Sequence, residues 1–405
     1  MASLSSAVSG NNERMVGLLV AVPGSVSQRE LDEALLQACR LGHKQCLEIL
    51  LSAGADIHQS DTQDRTLLHI AASEGHTDII DTLLSFEHCD IDARCQQGTS
   101  LHMAARMGHI DCLKRLVNAG ANIDAVDQSG STALVLATKN INRARPIAQY
   151  LIEAGCDLNA QDKCLKTALH YACKKAFGVD LLLNAGARTD LLDEHGNTSI
   201  IYAATEGFCG VIRALCEAGV DVNVANTQGK TAMHYLAQKG HKKCLQHLID
   251  GDGDLNQPDN HGNVPLWYAI VGRRPEAVRC LLKANCMLGN INGLRMDNLI
   301  GYALENRLFD IVLMLLIAGY EVADLKFWLL NNDMPEEFKK DDHIEHFVYE
   351  MLTGPHTLRQ LCRLFFRRLM CRYLMAKHHH LPLPQTVLDY LTLKELDDFH
   401  FQKGD

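Results

Sequence analysis

The sequence lacks the features that mark membrane, secreted and nucleic-acid-binding proteins. No stretch of it approaches the roughly 18 apolar residues of a membrane span, and its net charge is -10, so the basic excess of a nucleic-acid surface is missing. The N-terminal segment MASLSSAVSGNNERM has no basic region followed by an apolar run, as a signal peptide would. We therefore expect a cytoplasmic protein that binds neither nucleic acid nor a membrane.

Motifs of the common enzyme classes are missing as well. There is no GxGxxG after a predicted strand, no GxxxxGK[ST], no HExxH and no GxSxG. The 15 cysteines contain no CxxC…CxxC pair that would predict a zinc site. Several fall where a helix needs a small apolar side chain: Cys39, Cys46, Cys112, Cys173, Cys216, Cys244 and Cys280. We expect packed, reduced thiols, no catalytic residues, no cofactor and no metal.

One phrase recurs along the chain at a nearly constant interval. It reads TLLHIAA, TSLHMAA, TALHYAC and TAMHYLA around its histidine, and successive copies are 33, 33, 35, 31, 33 and 33 residues apart. The position is held in turn by His69, His102, Val135, His170, Ile201, His234 and Trp267. An acid or amide closes each unit, at Asp61, Asp127, Asp162, Asp193, Asn226 and Asp259. Such a period predicts a stack of similar helical units.

The recurring positions have physical roles in a helical unit. Thr66, Thr99, Thr132, Thr167 and Thr231 are expected to cap the first helix. Glycines such as Gly75 and Gly108 are expected to end it in a left-handed conformation. The histidines could suggest metal binding or general-base chemistry. However, one per unit puts them about 10 Å apart, too far for shared ligation at about 2 Å. We expect them instead to bond the backbone of the neighbouring unit.

These phrases resemble ankyrin repeats, whose pattern is TPLHxAA, a helix, and then GADxN with a hairpin. The resemblance is strong over residues 27–259 and weaker up to residue 322, and residues 1–26 look like a degenerate capping repeat. It implies an all-α ankyrin-repeat solenoid of about ten helix-turn-helix repeats with β-hairpin loops over residues 1–322. Its concave face is then the expected site for a protein partner.

Aromatic residues follow the motif position in four neighbouring units. They are Tyr171, Tyr202, Tyr235 and Tyr268, and Trp267 stands beside the last. Tyrosine is enriched in the energetically dominant parts of protein interfaces, so these residues are candidates for substrate binding. Packing between repeats explains the pattern equally well, and the sequence does not decide between the two.

The repeat pattern ends after residue 322. A spacer at 323–354 precedes an amphipathic segment whose apolar stripe is Leu358, Leu361, Cys362, Phe365, Phe366, Leu369 and Met370. Pro382 and Pro384 then fix an extended segment, and a second short helix is predicted at 387–396. A helix that only capped the last repeat would leave the LPLP segment unexplained.

This tail, at residues 355–405, resembles a small helical SOCS box. The elongin C-binding half matches at Thr357, Leu358, Leu361, Cys362, Phe365 and Phe366. The cullin-binding half matches at Leu381, Pro382, Leu383, Pro384, Leu388, Tyr390 and Leu391. Both halves in order, behind ankyrin-like repeats, resemble the ankyrin repeat and SOCS box family.

The resemblance implies a non-catalytic substrate receptor of a ubiquitin ligase. Its implied partners are elongin B/C, cullin-5 with its RING protein, and an unidentified protein substrate held by the ankyrin face. The substrate would be ubiquitinated through proximity and degraded by the proteasome. An ankyrin scaffold or inhibitor without a ligase role is the alternative.

Overall fold

The computed structural model describes residues 3–22, 24–86, 89–140, 144–288, 299, 302–303, 306 and 308–318. The spacer at 323–354 and the SOCS-box segment at 355–405 lie outside these residues. The chain forms two units, Met1–Glu194 and His195–Asp405. Each unit contains its own series of helix pairs.

The first unit contains six helix pairs. Its helices are α1 (Leu4–Ser9), α2 (Glu13–Ala21), α3 (Gln28–Leu41), α4 (Lys44–Ser52), α5 (Leu67–Glu74), α6 (Thr77–Leu84), α7 (Ser100–Met107), α8 (Ile110–Asn118), α9 (Ala133–Lys139), α10 (Ala144–Glu153), α11 (Ala168–Lys175) and α12 (Val179–Asn184). The first helices stack in the order α1, α3, α5, α7, α9 and α11, and the second helices form a parallel row behind them. Each pair therefore buries its apolar side against the next pair, as in a solenoid.

The second unit repeats this arrangement. It contains α13 (Ser199–Glu206), α14 (Cys209–Glu217), α15 (Ala232–Lys239), α16 (Lys242–Asp250), α17 (Pro265–Val271), α18 (Pro275–Lys283) and α19 (Phe309–Ile317). Helix α15 packs between α13 and α17, and α16 packs between α14 and α18. Within the described ranges the loops form only isolated antiparallel bridges, such as Ser60 with Thr66. The all-α prediction is confirmed, and the predicted hairpins are tight turns rather than long strands.

The helices are short because particular residues start and end each of them. Helix α7 begins after Thr99, which has an extended backbone, and ends at Gly108, whose φ of 84° is left-handed. A side chain is costly in that conformation, so glycine is favoured there. Ala104, at the centre of the helix, is fully buried. Its small side chain lets α7 approach α5 and α9 closely.

The first helix pair covers the exposed end of the next repeat. Helices α1 and α2 pack on α3 and α4, and Val8 and Val16 are fully buried between them. Helix α3 begins with a reciprocal capping box between Ser27 and Glu30. This pair lies where the sequence predicts a degenerate capping repeat.

The cysteines show one departure from expectation. Cys209 and Cys244 face each other from the first turns of α14 and α16, with Cα atoms 4.7 Å apart, and form a disulfide. The expectation of reduced thiols is therefore wrong for this pair. The other cysteines of the described segments form no disulfide. Burial raises the pKa of Cys39 to about 12 and that of Cys112 to about 11, so these two thiols stay protonated and unreactive at neutral pH.

Candidate protein-binding surface

Where a repeat has the motif histidine, this side chain joins it to the next repeat. In α7, the Thr99 backbone N–H donates to His102 Nδ1 over 3.0 Å, and His102 Nε2 lies 3.1 Å from the Ser131 carbonyl. Because Nδ1 accepts the N–H, the ring proton must be on Nε2, which donates to that carbonyl. The same bridge joins His69 to Gly98 over 3.0 Å and His234 to Asn263 over 3.2 Å. The prediction that these residues are structural is confirmed.

Burial keeps these rings neutral. Desolvation lowers the pKa of His69 and His102, and it lowers the pKa of His234 to about 4. Both ring nitrogens of each are occupied by hydrogen bonds within the fold. No lone pair remains for a metal or a substrate, so the recurring histidines supply rigidity rather than chemistry.

Three repeats lack this histidine, at Val135, Ile201 and Trp267, and the Ile201 repeat shows the consequence. Ile201 occupies the position in α13, and the preceding Thr198 and Ser199 are buried. The hydroxyl oxygens of Thr198 and Ser199 have no hydrogen-bond partner among the described residues. Thr132 shows another solution, because its hydroxyl accepts the Val135 backbone N–H over 3.4 Å. The threonine cap therefore differs in strength from repeat to repeat.

The closing acid of each unit shapes the loop that carries the surface. Asp259 Oδ1 accepts the backbone N–H groups of His261 and Asn263 over 2.9 and 2.8 Å. The same pair of bonds, to the second and fourth residues onward, is made at Asp61, Asp127, Asp162 and Asn226. Each loop tip is thus held in one conformation. The tip residues Gln128 and Ser129 remain exposed.

The predicted tyrosines hydrogen-bond these closing residues. The Tyr268 hydroxyl donates to Asp259 Oδ2 over 2.6 Å, and the Tyr171 hydroxyl donates to Asp162 Oδ2 over 2.6 Å. The Asn226 amide donates to the Tyr235 hydroxyl over 2.9 Å in the same arrangement. Tyr171, Tyr202, Tyr235, Trp267 and Tyr268 are all half-buried. Their rings are therefore held by the fold yet leave part of each face accessible.

The Tyr268–Asp259 pair shifts the pKa of both groups. Burial alone would raise the pKa of Asp259, but hydrogen bonds from Tyr268, Asn263 and His261 outweigh it and hold that pKa below its ordinary value. Burial, and then the adjacent carboxylate, raise the pKa of Tyr268 well above its ordinary value. Tyr268 therefore stays a hydrogen-bond donor over the whole physiological range.

Two lysines complete this surface, and sequence reasoning missed them. Lys139 Nζ lies 4.4 Å from the centre of the Tyr171 ring and 3.3 Å from Asp162 Oδ2. Lys230 Nζ lies 4.8 Å from the Tyr268 ring and 5.9 Å from the Tyr235 ring. A cation over an aromatic face is attracted by the ring. No recurring pattern marks both positions, because Lys139 ends a helix while Lys230 lies in a loop.

Aromatic packing extends across the last described repeats. The Trp267 and Tyr302 rings are 5.2 Å apart, and the His234 and Tyr268 rings meet edge to face at 5.6 Å. These contacts join consecutive repeats of the second unit, so packing accounts for part of the aromatic pattern. The predicted elongin C-binding residues at 357–366 and cullin-binding residues at 381–391 lie outside the described residues.

Comparison with known families matches both parts of the chain. A model of three ankyrin repeats matches residues 4–95, 68–162, 142–226 and 218–293, and a SOCS box model matches residues 354–392. The repeats thus cover well over half of the chain, and the SOCS box follows them.

Curated proteins show the same similarity. Human ankyrin repeat and SOCS box protein 6 is 30% identical over 181 residues, which cover 42% of this chain and 35% of that protein. The Pongo abelii protein of the same name is 31% identical over the same shares. Putative E3 ubiquitin-protein ligase XBAT34 from Arabidopsis thaliana is 36% identical over 107 residues, or 25% of this chain and 28% of that protein. The chain therefore spans only about a third of these relatives. With its repeats and SOCS box both matched, it belongs to the ankyrin repeat and SOCS box family.

Proposed function

We propose that this chain is the substrate-recognition subunit of an elongin–cullin–RING ubiquitin ligase. The observation that carries the proposal is the SOCS box match at residues 354–392, which follows a long series of ankyrin repeats in the same chain. A SOCS box that serves only to end the solenoid would not need two motifs in the order found here. The chain would then bring a substrate to the ligase and would leave the chemistry to its partners.

The tail provides the ligase side of this function. Leu358 and Cys362 are the proposed anchors in a pocket of elongin C, with Leu361, Phe365 and Phe366 on the same stripe. Burial of such side chains contributes roughly 1.5–3 kcal/mol each, enough in sum to offset the costs of association. The LPLP segment at 381–384 is the proposed selector of cullin-5.

The repeats provide the substrate side. Their loops are held by the closing acids, their helices by the histidine bridges, and their tyrosines by hydrogen bonds such as Tyr268 with Asp259. A surface that is already ordered loses little conformational entropy on binding. The half-buried tyrosines and Trp267 are the proposed substrate contacts. A bound substrate would have its lysines close to the ubiquitin-charged enzyme, which accelerates transfer by proximity.

Co-expression with elongin B/C tests the proposal. The wild-type chain is expected to co-purify with elongin B/C as a stable complex. The double variant Leu358→Gln/Cys362→Ser is expected to lose it, because the anchors become polar. As a matched control, Leu192→Gln changes a side chain that is 42% exposed on a loop of the repeats and should leave the complex intact. A wild-type chain that does not associate with elongin B/C would make the receptor proposal wrong and favour a scaffold or inhibitor.

A further inference from the structure

Five cations gather around the turns between the paired helices of two neighbouring repeats in the second unit. They are Lys239, Lys242, Lys243, Arg273 and Arg274, called the basic loop patch below, and all five are exposed. The loops also contact one another. The Arg274 side chain lies over Gly240, where an added Cβ would come within 2.7 Å of Arg274 Cδ, and its Nε donates to the Gln238 carbonyl over 3.3 Å. The cations thus form one surface.

The positive charge of this surface is largely uncompensated. Within the described ranges its one ion pair joins Lys242 to Glu276 over 3.2 Å, with side chains 58% and 54% exposed. Among the described residues, no carboxylate lies within ion-pair distance of Lys243, Arg273 or Arg274. Burial lowers the pKa of His241 between these loops, and Lys239 and Arg274 lower it further. The whole chain carries a net charge of -10. The positive charge of this patch therefore does not result from a basic composition of the chain.

Lys243 stands where several other repeats have an acid, although Gln45 and Gly210 occupy the position in two more. It is the second residue of α16, and the equivalent residues of α6, α8 and α18 are Asp78, Asp111 and Glu276. An acid in the first turn stabilises a helix through its dipole, and a cation there opposes it. Lys243 is therefore expected to lower the stability of the first turn of α16.

Arg273 also occupies an unfavourable position. It lies two residues before the second helix of its repeat, next to the N-cap Arg274, and has a left-handed φ of 54°, where Gly108 and Gly240 have φ of 84°. Backbone in this region is strained for a residue with a side chain. Two neighbouring repeats thus each place a cation where the fold favours another residue. Residues that lower local stability in this way are typical of functional sites.

We propose that the basic loop patch binds an acidic segment of a partner protein. This inference rests on the proposed receptor function, in which the partner is the ubiquitination substrate. Arginine pairs with carboxylates through two parallel hydrogen bonds, and exposed lysines attract acidic chains from a distance. A nucleic acid fits less well, because a long polyanion would also meet the negative charge of the rest of the chain.

A peptide titration tests the patch in the full chain bound to elongin B/C. The probe is a short, fluorescently labelled peptide of alternating Asp and Glu, and the readout is its anisotropy at low salt. We expect saturable binding that weakens as salt is added. In the variant Lys243→Glu/Arg273→Glu, we expect affinity to fall about tenfold or more. The control Arg29→Glu/Lys163→Glu makes the same change in net charge on the first unit, and its affinity should equal that of the wild type.

The variant Arg273→Gly separates binding from folding. Glycine relieves the left-handed backbone, so this variant is expected to melt at a higher temperature yet to bind the acidic peptide more weakly. Peptide binding that is equal in the wild type, the double variant and the control would overturn the proposal, and so would tighter binding of single-stranded DNA than of the peptide. Neither result affects elongin B/C binding, so the receptor proposal is tested separately.

Discussion

The Tyr268 hydroxyl donates a hydrogen bond of 2.6 Å to the Asp259 carboxylate, whose other oxygen holds the loop tip of the same repeat. A half-buried ring on the expected binding face is thereby joined to the loop that shapes this face. For this residue, packing and a fixed position on the surface go together, because the bond that holds the ring in the fold also fixes its orientation.

Removal of this hydroxyl should measure its structural role. Tyr268→Phe leaves the Asp259 carboxylate without its shortest donor, so the free energy of unfolding should fall by about 1–2 kcal/mol. Urea denaturation followed by circular dichroism measures the change. Tyr150→Phe is the matched control, because its hydroxyl bonds Asn118 on an exposed surface and its loss should cost little. Equal effects of the two substitutions would contradict the role given to Tyr268.

The two explanations of the tyrosine pattern can be separated at Tyr202 and Tyr235. Alanine at either position should lower the melting temperature, because both side chains are half-buried and Tyr235 bonds Asn226. Thermal melts of the single variants test this. An unchanged melting temperature together with lost substrate binding would show that these rings serve the interface alone.

The motif histidines should make stability depend on pH. The folded pKa of His234 is about 4, below the ordinary value of about 6.5 in the unfolded chain. The unfolded chain therefore takes up the proton first, so stability is full above about pH 6.5 and falls as pH drops towards 4. His234 alone should account for about 2 kcal/mol between pH 7 and pH 5.

Urea midpoints measured across this range check the dependence on pH. The pKa values of His69 and His102 are also lowered, so these residues should steepen the change of the urea midpoint with pH. The variant His234→Gln should make this change smaller. A midpoint that is constant from pH 7 to pH 5 would contradict the neutral, buried assignment.

The contribution of the threonine caps to the free energy of unfolding should differ between repeats. Thr99 is paired with His102 in a capping box, so Thr99→Val should lower the free energy of unfolding by about 1–2 kcal/mol. The Thr198 hydroxyl is buried without a partner in the part of the chain that the structure describes, so Thr198→Val should leave stability unchanged or raise it. Denaturation of the two variants in parallel provides the comparison. A larger loss at Thr198 than at Thr99 would show that Thr198 has a partner in solution.

The spacing of the sequence phrases was enough to predict the repeats and their family, because each recurring residue has one local task. His102 and Asp259 perform the tasks that their spacing indicates. Contacts between repeats were harder to predict. The position of Lys230 between two tyrosine rings and the pairing of Cys209 with Cys244 depend on how adjacent repeats stack. Arg273 was missed because its left-handed backbone is visible only in three dimensions.

The association of the chain–elongin B/C complex with cullin-5 tests the receptor function most directly. Size-exclusion chromatography of the purified complex mixed with cullin-5 is the measurement. The wild type is expected to co-elute with cullin-5, whereas Pro382→Ala/Pro384→Ala is expected to keep elongin B/C and lose cullin-5, because the fixed extended segment is gone. A wild-type complex that holds elongin B/C but elutes apart from cullin-5 would contradict the assignment to a cullin-5 ligase.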